Sequence, residues 1–574
     1  MQFSHPAYSD VLPELRPAGA GWSAGILRDD LLFAPRTGHF TRSKSRLPPS
    51  TDVNTVLSFA VSVQDDLPLS IEEALSDNNW TRAVTSEYDA LIQNGTWELV
   101  PRRPGQAVVG CRWLFKIKRA ADGSIARYKA RLVAQGFTQV FGVNYSDTFA
   151  PVSRIASVRI ILAIAGAKQF RTFHTDIRTA FLNAPLSEEV YMRQPFGFEQ
   201  PGPGGTDLVC RLKKCLYGLK QSPREWRAVV DAFLRGHGFT PSPKDPCLYV
   251  LRREEAVMAL SLYVDDMIGF YSRIELYQEF TAAVNSAFSA HHDDAIQWVL
   301  GMGVQHSPQG ITVTQTQYIV DLLDQFGLTN AKFAKVPLTQ RLSSKASDES
   351  PLNAPYRELV GSLLYICVCT RPDIAYSVSQ LCHQMANPSV KHWEAAKGVL
   401  RYLSGTRHIV LHIRANSPLT LQAFSDADWA SDTSTGLSIS GMVVTLAGTP
   451  IFWRSKQQTI IAMSSTESEY MALAATCLEI LYFRELLAIF PFIDSISPTV
   501  IHTDNQSSIR IAEADTDRSR TRHIAVRFHC VRARVHSGEV TLRYLPTAEM
   551  PADILTKPIM QEKLVYLRAK LLSG

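Results

Sequence analysis

The fold prediction depends most on residues 256–271, AVMALSLYVDDMIGFY. Apolar residues run up to an adjacent pair of aspartates, Asp265 and Asp266, and resume directly after it. This pattern predicts two strands joined by a tight turn, with two carboxylates pushed out of an apolar ribbon. Because adjacent anions repel each other, the pair favours a bound cation, although aspartate is also a common turn residue in its own right.

A third carboxylate follows a predicted strand further upstream. Asp176 lies at the end of FRTFHTDI, residues 170–177, from where it can meet the aspartate pair across a sheet. Three carboxylates can hold two Mg²⁺ ions, one lowering the pKa of an attacking hydroxyl and the other stabilising the leaving oxygen. The three aspartates therefore predict a site for two-metal phosphoryl transfer.

Composition limits the class of protein. The 574 residues suggest about four folding units, and 45% hydrophobic with 20% charged residues is typical of a globular chain. Apolar runs stay shorter than the ~18 residues of a membrane span, and the first residues lack a signal-peptide pattern. Nine scattered cysteines without a CxxC pair predict reduced thiols, with neither a disulfide framework nor a zinc site.

The net charge is only +5, but basic residues concentrate in two segments, 110–135 and 211–227. Such local density predicts a surface for a polyanion; a merely solvated face is the alternative. Repeated prolines interrupt residues 1–70, which are predicted to be a disordered linker or remnant. Apolar periodicity predicts a hairpin over 108–133 and helices over 71–94, 155–167, 223–236, 318–326, 356–403 and 465–490.

Five motifs give these segments a family resemblance: residues 127–139, 147–163, 174–198, 216–226 and 263–266. In this order and spacing they resemble the reverse transcriptase of a copia-type LTR retrotransposon. The resemblance implies a right-hand polymerase of α+β class, with fingers and palm over residues 71–312. A helical thumb or connection would follow over residues 313–415.

The resemblance also implies roles for single residues. Asp176, Asp265 and Asp266 would be the metal-binding catalytic aspartates. Phe181 would close off the sugar 2′ position and so favour deoxynucleotides, unless it is only a core residue. Gln221 would contact the incoming nucleotide.

Cations for the triphosphate are expected on the basic hairpin. Lys129 and Arg131 lie two residues apart, so they share one face of a strand. Arg127 or Lys116 remains an alternative for this role. Leu300-Gly301 resembles the family's primer-positioning turn, although the residues before it depart from the family pattern.

A second set of acids follows residue 416. Asp426 and Asp504 end predicted strands, Glu469 lies on a predicted helix, and Asp553 lies at a predicted helix start. This order resembles the ribonuclease H domain of the same element type, an α/β unit over residues 416–574. The resemblance implies that the four acids hold two Mg²⁺ ions that activate water against an RNA phosphodiester.

Alternatives remain within this second set. Asp428 and Glu467 are near neighbours of the favoured acids Asp426 and Glu469. His523 and His529 lie in an arginine-rich segment and are expected to contact the backbone of a hybrid duplex.

The expected protein is an RNA-directed DNA polymerase with ribonuclease H activity. Its cofactor is Mg²⁺, two per site, with Mn²⁺ as a substitute. Its expected partners are an RNA template, a DNA primer, the RNA–DNA hybrid, dNTPs, and the integrase and capsid of the same element, with no membrane. The expected location is a cytoplasmic virus-like particle, the nucleus, or both.

The alternative function is a catalytically inactive, truncated transposon relic that at most binds nucleic acid. Motifs of a capsid, a protease and an integrase are missing from the sequence. The chain is therefore expected to be a C-terminal portion of a longer polyprotein, or a frame begun at an internal methionine.

Overall fold

The computed structural model describes residues 67–119, 125–342, 354–432, 434–494, 497–514 and 525–574. Most of the predicted linker, residues 1–70, lies outside these ranges. The helices are α1 (Ile71–Ser76), α2 (Asn78–Gln93), α3 (Ile155–Lys168), α4 (Ser222–Gly236), α5 (Ile274–Ala287), α6 (Thr316–Gln325), α7 (Tyr356–Cys369), α8 (Ala375–His383), α9 (Val390–Gly405), α10 (Ser465–Leu487), α11 (Gln506–Glu513), α12 (Ala525–His536) and α13 (Gln561–Arg568).

The strands belong to five sheets. They are β1 (Trp97–Pro101), β2 (Val108–Val109), β3 (Cys111–Arg119), β4 (Ile125–Ala134), β5 (Arg171–Ile177), β6 (Tyr191–Met192), β7 (Leu208–Leu212), β8 (Thr240–Pro241), β9 (Leu248–Arg253), β10 (Ala256–Tyr263), β11 (Asp266–Tyr271), β12 (Ala290–Asp293), β13 (Trp298–Val299), β14 (Met302–Ser307), β15 (Gly310–Thr314), β16 (Leu411–Arg414), β17 (Leu421–Asp428), β18 (Ile439–Leu446), β19 (Thr449–Gln457), β20 (Thr499–Thr503) and β21 (Val540–Tyr544).

The N-terminal region consists of α1, α2, a sheet in the order β1-β7-β6-β2, and the β3–β4 hairpin. Asp77 caps α2 by accepting hydrogen bonds from the backbone N–H groups of Asn79 and Trp80. Trp80 is buried edge-on against Tyr128 of β4, which fixes the helix on the hairpin. In the hairpin Lys116 lies opposite Lys129, so two like charges face one another across the strands.

The central sheet has the order β12-β5-β11-β10-β9-β8. Its β10–β11 hairpin joins Tyr263 to Asp266 in register, as the sequence pattern predicts. Strand β11 also pairs with β5, which places Asp266 opposite Asp176. Helices α4 and α5 cover one face of this sheet, and both contribute to one apolar core with it.

Helix α3 packs on the other face, and thirteen of its fourteen residues are buried. A continuous apolar run with a single buried cation explains why it sits inside the protein rather than at the surface. Among the helices of the described residues, none is both long enough and apolar enough to cross a membrane.

A third sheet, in the order β13-β14-β15-β16, links the central region to helices α6 to α9. Its strand β15 spans the predicted boundary at residue 312, and β16 lies inside the segment predicted to be helical, 313–415. The sequence pattern did not predict that a strand of this segment, β16, joins the preceding sheet.

The C-terminal region is a sheet in the order β19-β18-β17-β20-β21, with β17 parallel to β20 and antiparallel to β18. Helix α10 packs on β17 and β18. Parallel pairing brings the C-terminal ends of β17 and β20 to the same edge of the sheet. Acids that end these two strands are therefore neighbours.

A buried arginine of α3 joins the central and C-terminal regions. The Arg159 guanidinium donates hydrogen bonds to the carbonyls of Val368, Cys369 and Ile451. Its Cζ lies 3.9 Å from the ring centroid of Trp453 on β19. Burial lowers the pKa of Arg159 to about 10. The two regions share one apolar core around this contact.

Candidate active sites: two clusters of carboxylates

The first cluster, called the hairpin cluster here, consists of Asp176, Asp265 and Asp266. Asp176 and Asp266 are direct partners across β5 and β11, and Asp265 lies in the turn between β10 and β11. The Ile177 N–H donates to the Asp265 carbonyl at 2.9 Å. Trp226 Nε1 donates to the Val264 carbonyl at 2.6 Å. The turn is thus fixed to both neighbouring elements.

Two β-branched residues next to this cluster adopt left-handed backbone conformations. Val264 has φ 56° in the turn, and Thr179 has φ 49° just after β5. Such residues rarely adopt positive φ, and the strain is tolerated mainly where surrounding contacts impose it at functional sites. The backbone therefore supports the assignment of the hairpin as a site.

Charge repulsion is visible in the hairpin cluster. Burial, together with the negative charges of Asp266 and Asp176, raises the pKa of Asp265 to about 6. A divalent cation would remove this penalty by neutralising the repelling oxygens. Three converging carboxylates are hard oxygen donors of the kind that Mg²⁺ prefers, so the residues present fit the expected metal.

His174 contacts the hairpin cluster, and the sequence interpretation missed it. Its Nε2 lies 2.7 Å from Asp266 Oδ1, and its Nδ1 lies 3.3 Å from Asp293 Oδ2. Burial alone would lower the pKa of His174, but the two carboxylates raise it above its ordinary value. The signal was available, because His174 and Asp176 are two residues apart on one strand and so share a face.

The predicted substrate-binding residues lie in three places. Phe181 is buried in a short 3₁₀ turn after β5, with its ring 4.6 Å from that of Tyr217 in an edge-on contact. The Arg131 guanidinium carbon lies 3.7 Å from the centroid of the same Tyr217 ring. Lys129 lies two residues earlier on β4. Tyr217 thereby connects the expected sugar-contacting residue to the expected phosphate-binding strand.

Gln221 is fully buried in this structure. Its Nε2 donates to the Asn144 carbonyl and to Glu188, both at 2.8 Å, and its Oε1 accepts from Gln139. These contacts hold the segment after β4 against the start of α4. A contact between Gln221 and a nucleotide stays a prediction, and the structure gives this residue a structural role in addition.

The predicted primer turn lies between β13 and β14. Leu300 and Gly301 both have positive φ, 47° and 76°. Tyr365 of α7 donates to the Leu300 carbonyl at 2.5 Å. A Cβ on residue 301 would lie 2.2 Å from the Tyr365 hydroxyl oxygen, so the close approach requires glycine.

The second cluster, called the buried cluster here, consists of Asp426, Glu469 and Asp504. Asp426 lies near the end of β17, Asp504 directly follows β20, and Glu469 lies in the first turns of α10. One carboxylate oxygen from each lies within 4.8 Å of the others. The sequence prediction that these three distant acids converge is therefore matched by the geometry.

Hydrogen bonds orient two of the three acids. Thr556 donates to Asp426 Oδ2, and Thr547 donates to Asp504 Oδ2, each at 2.6 Å. Within the described residues, no donor reaches the buried Oε2 of Glu469. Burial and the neighbouring negative charges raise the pKa of both Asp426 and Glu469. A buried carboxylate oxygen with no donor, facing two further acids, fits a divalent cation.

Asp553 differs from these three acids. It is fully buried beside Asp426, whose pKa its charge helps to raise. Its two oxygens pair with Lys557 at 2.5 Å and Lys563 at 2.6 Å. The structure thus places Asp553 next to the buried cluster but gives it two cationic partners.

The alternative acids have structural partners. Glu467 caps α10: its Oε2 accepts from the Met463 N–H at 2.7 Å, and its own N–H donates to Ser464. Asp428 pairs with Arg341, which also donates to the Ser431 carbonyl. The geometry favours Glu469 and Asp426. The predicted contacts of His523 and of the His529 side chain lie outside the described residues.

Comparisons with known proteins identify the family of the chain. Residues 94–340 match the family described as "Reverse transcriptase (RNA-dependent DNA polymerase)". The chain is 38% identical to the Pol polyprotein of transposon RE2 from Arabidopsis thaliana, over 88% of this chain and 35% of that protein. A Ty5-1 transposon protein of Saccharomyces cerevisiae is 32% identical over 53% of this chain and 100% of its own length. A crystal structure of LC11-RNase H1 with an RNA/DNA hybrid covers 24% of this chain and 94% of its own at 13% identity, with a TM-score of 0.19.

The matched motifs and the aspartate hairpin define a reverse transcriptase domain. The chain belongs to the Pol polyprotein family of copia-type retrotransposons. It spans about a third of the length of the RE1 and RE2 polyproteins.

Proposed function

We propose that this chain is an RNA-directed DNA polymerase that also degrades RNA in RNA–DNA hybrids. The observation that carries the proposal is the convergence of distant acids into two clusters, one on a strand and hairpin and one at the end of parallel strands. Two activities on one nucleic acid fit a cycle in which a DNA strand is made on RNA and the RNA is then removed.

In the polymerase site, Asp176, Asp265 and Asp266 would hold Mg²⁺ or Mn²⁺, two ions per site. When bound, the ions would supply charge stabilisation for phosphoryl transfer and a more acidic primer hydroxyl. The chain's own residues orient the reactants: the strained turn fixes the acids, and Lys129 and Arg131 attract the triphosphate. Phe181 limits space at the sugar 2′ position and so favours dNTPs over ribonucleotides.

In the nuclease site, Asp426, Glu469 and Asp504 would hold the corresponding ions. Bound there, the ions would supply an activated water for attack on an RNA phosphodiester. Thr556 and Thr547 fix one oxygen each of Asp426 and Asp504. We propose an RNA template, a DNA primer and the resulting hybrid as nucleic-acid partners, and a cytoplasmic particle or the nucleus as the location.

Primer extension tests the polymerase assignment. Purified chain with Mg²⁺, oligo(dT) primer, poly(rA) template and dTTP should extend the primer, and Asp265→Asn should abolish extension. Asp207→Asn is the matched control, because Asp207 is an exposed partner of Arg102 next to a different sheet, just before β7. Absence of extension by well-folded wild-type protein would instead support the inactive nucleic-acid-binding product.

Cleavage of a labelled RNA–DNA hybrid tests the nuclease assignment. Wild-type protein should cut the RNA strand, and Asp504→Asn should stop the cutting. Glu539→Gln is the control, since Glu539 forms an ion pair with Arg534 beside β21 rather than in the cluster. Cutting that persists in Asp504→Asn would reject the buried cluster as the site.

A further inference from the structure

Strand pairing in the central sheet places one histidine, His174, in contact with the hairpin cluster. His174 lies on β5, where its direct partner on β12 is Asp293. On the other side, β11 places Asp266 opposite Asp176, two residues further along β5. Because alternate residues of a strand share a face, His174 lies between the carboxylates of Asp266 and Asp293.

The contacts of His174 are directional. Its Nε2 donates to Asp266 Oδ1 at 2.7 Å, and Nδ1 lies 3.3 Å from Asp293 Oδ2. Asp293 Oδ1 in turn lies 3.2 Å from His291 Nε2. The His174 side chain keeps only 20% of its surface exposed, whereas Asp293 keeps 45% and His291 keeps 59%, so the contact with Asp266 is the shielded end of this chain of contacts.

An imidazole that holds one carboxylate oxygen fixes the rotation of the whole carboxylate. Asp266 then has Oδ1 engaged, while Oδ2 remains for another ligand. Hydrogen-bond partners of metal-binding carboxylates orient them, and losing such a partner typically weakens metal affinity about 10–100-fold.

We propose that His174 is a positioning residue that orients Asp266 toward the divalent cation of the polymerase site, with Asp293 holding the imidazole in place. The inference rests on the proposed polymerase function and adds to it a residue outside the aspartate set. His174 acts through Asp266 and contacts neither primer nor nucleotide.

Two substitutions test the roles of the two ring nitrogens of His174 separately. In His174→Gln the side-chain amide nitrogen occupies roughly the place of Nε2, so the donor to Asp266 is retained. In His174→Asn the amide reaches only the place of Nδ1, so the contact with Asp266 is lost. His292→Asn is the matched control, because His292 contacts Thr175 and Asn285 instead of an acid of the cluster.

The readout is binding of Mn²⁺ to the full chain, followed by the electron paramagnetic resonance signal of the free ion. The buried cluster is unchanged in all three variants, so differences between them report the hairpin cluster. We expect His174→Asn to weaken Mn²⁺ binding about 10–100-fold and to raise the Mg²⁺ concentration required for primer extension. His174→Gln and His292→Asn should bind Mn²⁺ as the wild type does.

Each other result has one meaning. Equal Mn²⁺ affinity in wild type and His174→Asn, with wild-type primer extension intact, overturns the inference but leaves the proposed function standing. An equal loss in His174→Gln and His174→Asn also overturns it, because the retained donor would then have no effect. Wild-type protein that folds, yet neither binds Mn²⁺ at this cluster nor extends a primer, refutes the proposed function and the inference together.

Discussion

The hairpin cluster and the buried cluster use the same chemical groups in different surroundings. The three aspartates of the hairpin cluster are partly exposed, and a histidine contacts one of them. In the buried cluster Asp426 and Glu469 are buried, and neutral threonines donate hydrogen bonds to Asp426 and Asp504. Without a cation the buried cluster therefore carries the larger electrostatic penalty, because less water reaches its acids and the positive charge of nearby Lys557 offsets only part of their repulsion.

The largest expected effect is the loss of one activity while the other is kept, which tests whether the two clusters are independent sites. Glu469→Gln should lower hybrid cleavage by at least about 10³-fold, as expected for loss of a group central to metal-assisted catalysis, and should leave primer extension unchanged. Asp176→Asn should do the reverse. Both activities are measured on the same preparation. A variant that loses both while remaining folded would show that the clusters are not separate sites.

The junction between the regions should give the next largest effect. Arg159→Met leaves three buried carbonyls without their donor, so the free energy of unfolding should fall by about 3 kcal/mol. Urea unfolding followed by tryptophan fluorescence measures this change. Arg235→Met is the control: Arg235 pairs with Asp231 on the exposed side of α4, and its loss should cost under about 1 kcal/mol.

A result near zero for Arg159→Met would mean that the two clusters sit on regions that do not depend on each other for stability. A result near the expected value would mean that they differ in surroundings but share one folding unit, as their common apolar core indicates.

Sequence patterns predicted the local elements of both clusters well. The apolar ribbon around Asp265 became the β10–β11 hairpin, and the alternation before Asp176 became β5. Such elements follow from periodicity, which is a local property. The family resemblance then indicated which acids to consider, and the geometry brought six of the seven into two groups.

Long-range contacts were not predictable in the same way. Strand β16 joins a sheet begun about 100 residues earlier, a pairing that no local pattern encodes. The two lysines on Asp553 and the burial of Gln221 depend on how separate elements pack. The sequence shows Arg159 only as one cation within an apolar helix, and the packed structure is needed to reveal its three carbonyl partners.

The metal-free stability of the two clusters gives a third, smaller test. In excess chelator, Glu469→Gln should raise the free energy of unfolding by roughly 1–2 kcal/mol, because burial and the neighbouring acids raise the pKa of Glu469 and so penalise folding at neutral pH, whereas a neutral amide carries no such penalty. Asp265→Asn should have a smaller effect, since water already screens part of its charge. Thermal unfolding of both variants in chelator measures which of the two gains in stability is larger. A larger gain in Asp265→Asn would reverse the proposed contrast.

The dependence of stability on pH should sharpen the same contrast. Burial raises the pKa of Asp426 and Glu469 in the folded chain above their unfolded values. The unfolded chain therefore releases these protons at a lower pH than the folded chain, so stability is lost as the pH rises from about pH 4, the unfolded pKa, toward the raised folded pKa. In chelator, the free energy of unfolding of the wild type, taken relative to that of Glu469→Gln, should fall by roughly 1 kcal/mol between pH 5 and pH 8. A difference that is flat over this range, or rises, would contradict the assignment.

The smallest expected effect concerns Asp553, which the family resemblance makes a fourth ligand of the buried cluster. Its oxygens already pair with Lys557 and Lys563, so Asp553→Asn should lower hybrid cleavage only about threefold, which corresponds to roughly 0.7 kcal/mol. Cleavage rates of Asp553→Asn and Asp504→Asn, measured side by side, test this. If both variants lose cleavage equally, the lysines must release Asp553 when the cation binds, and the buried cluster then works with four acids.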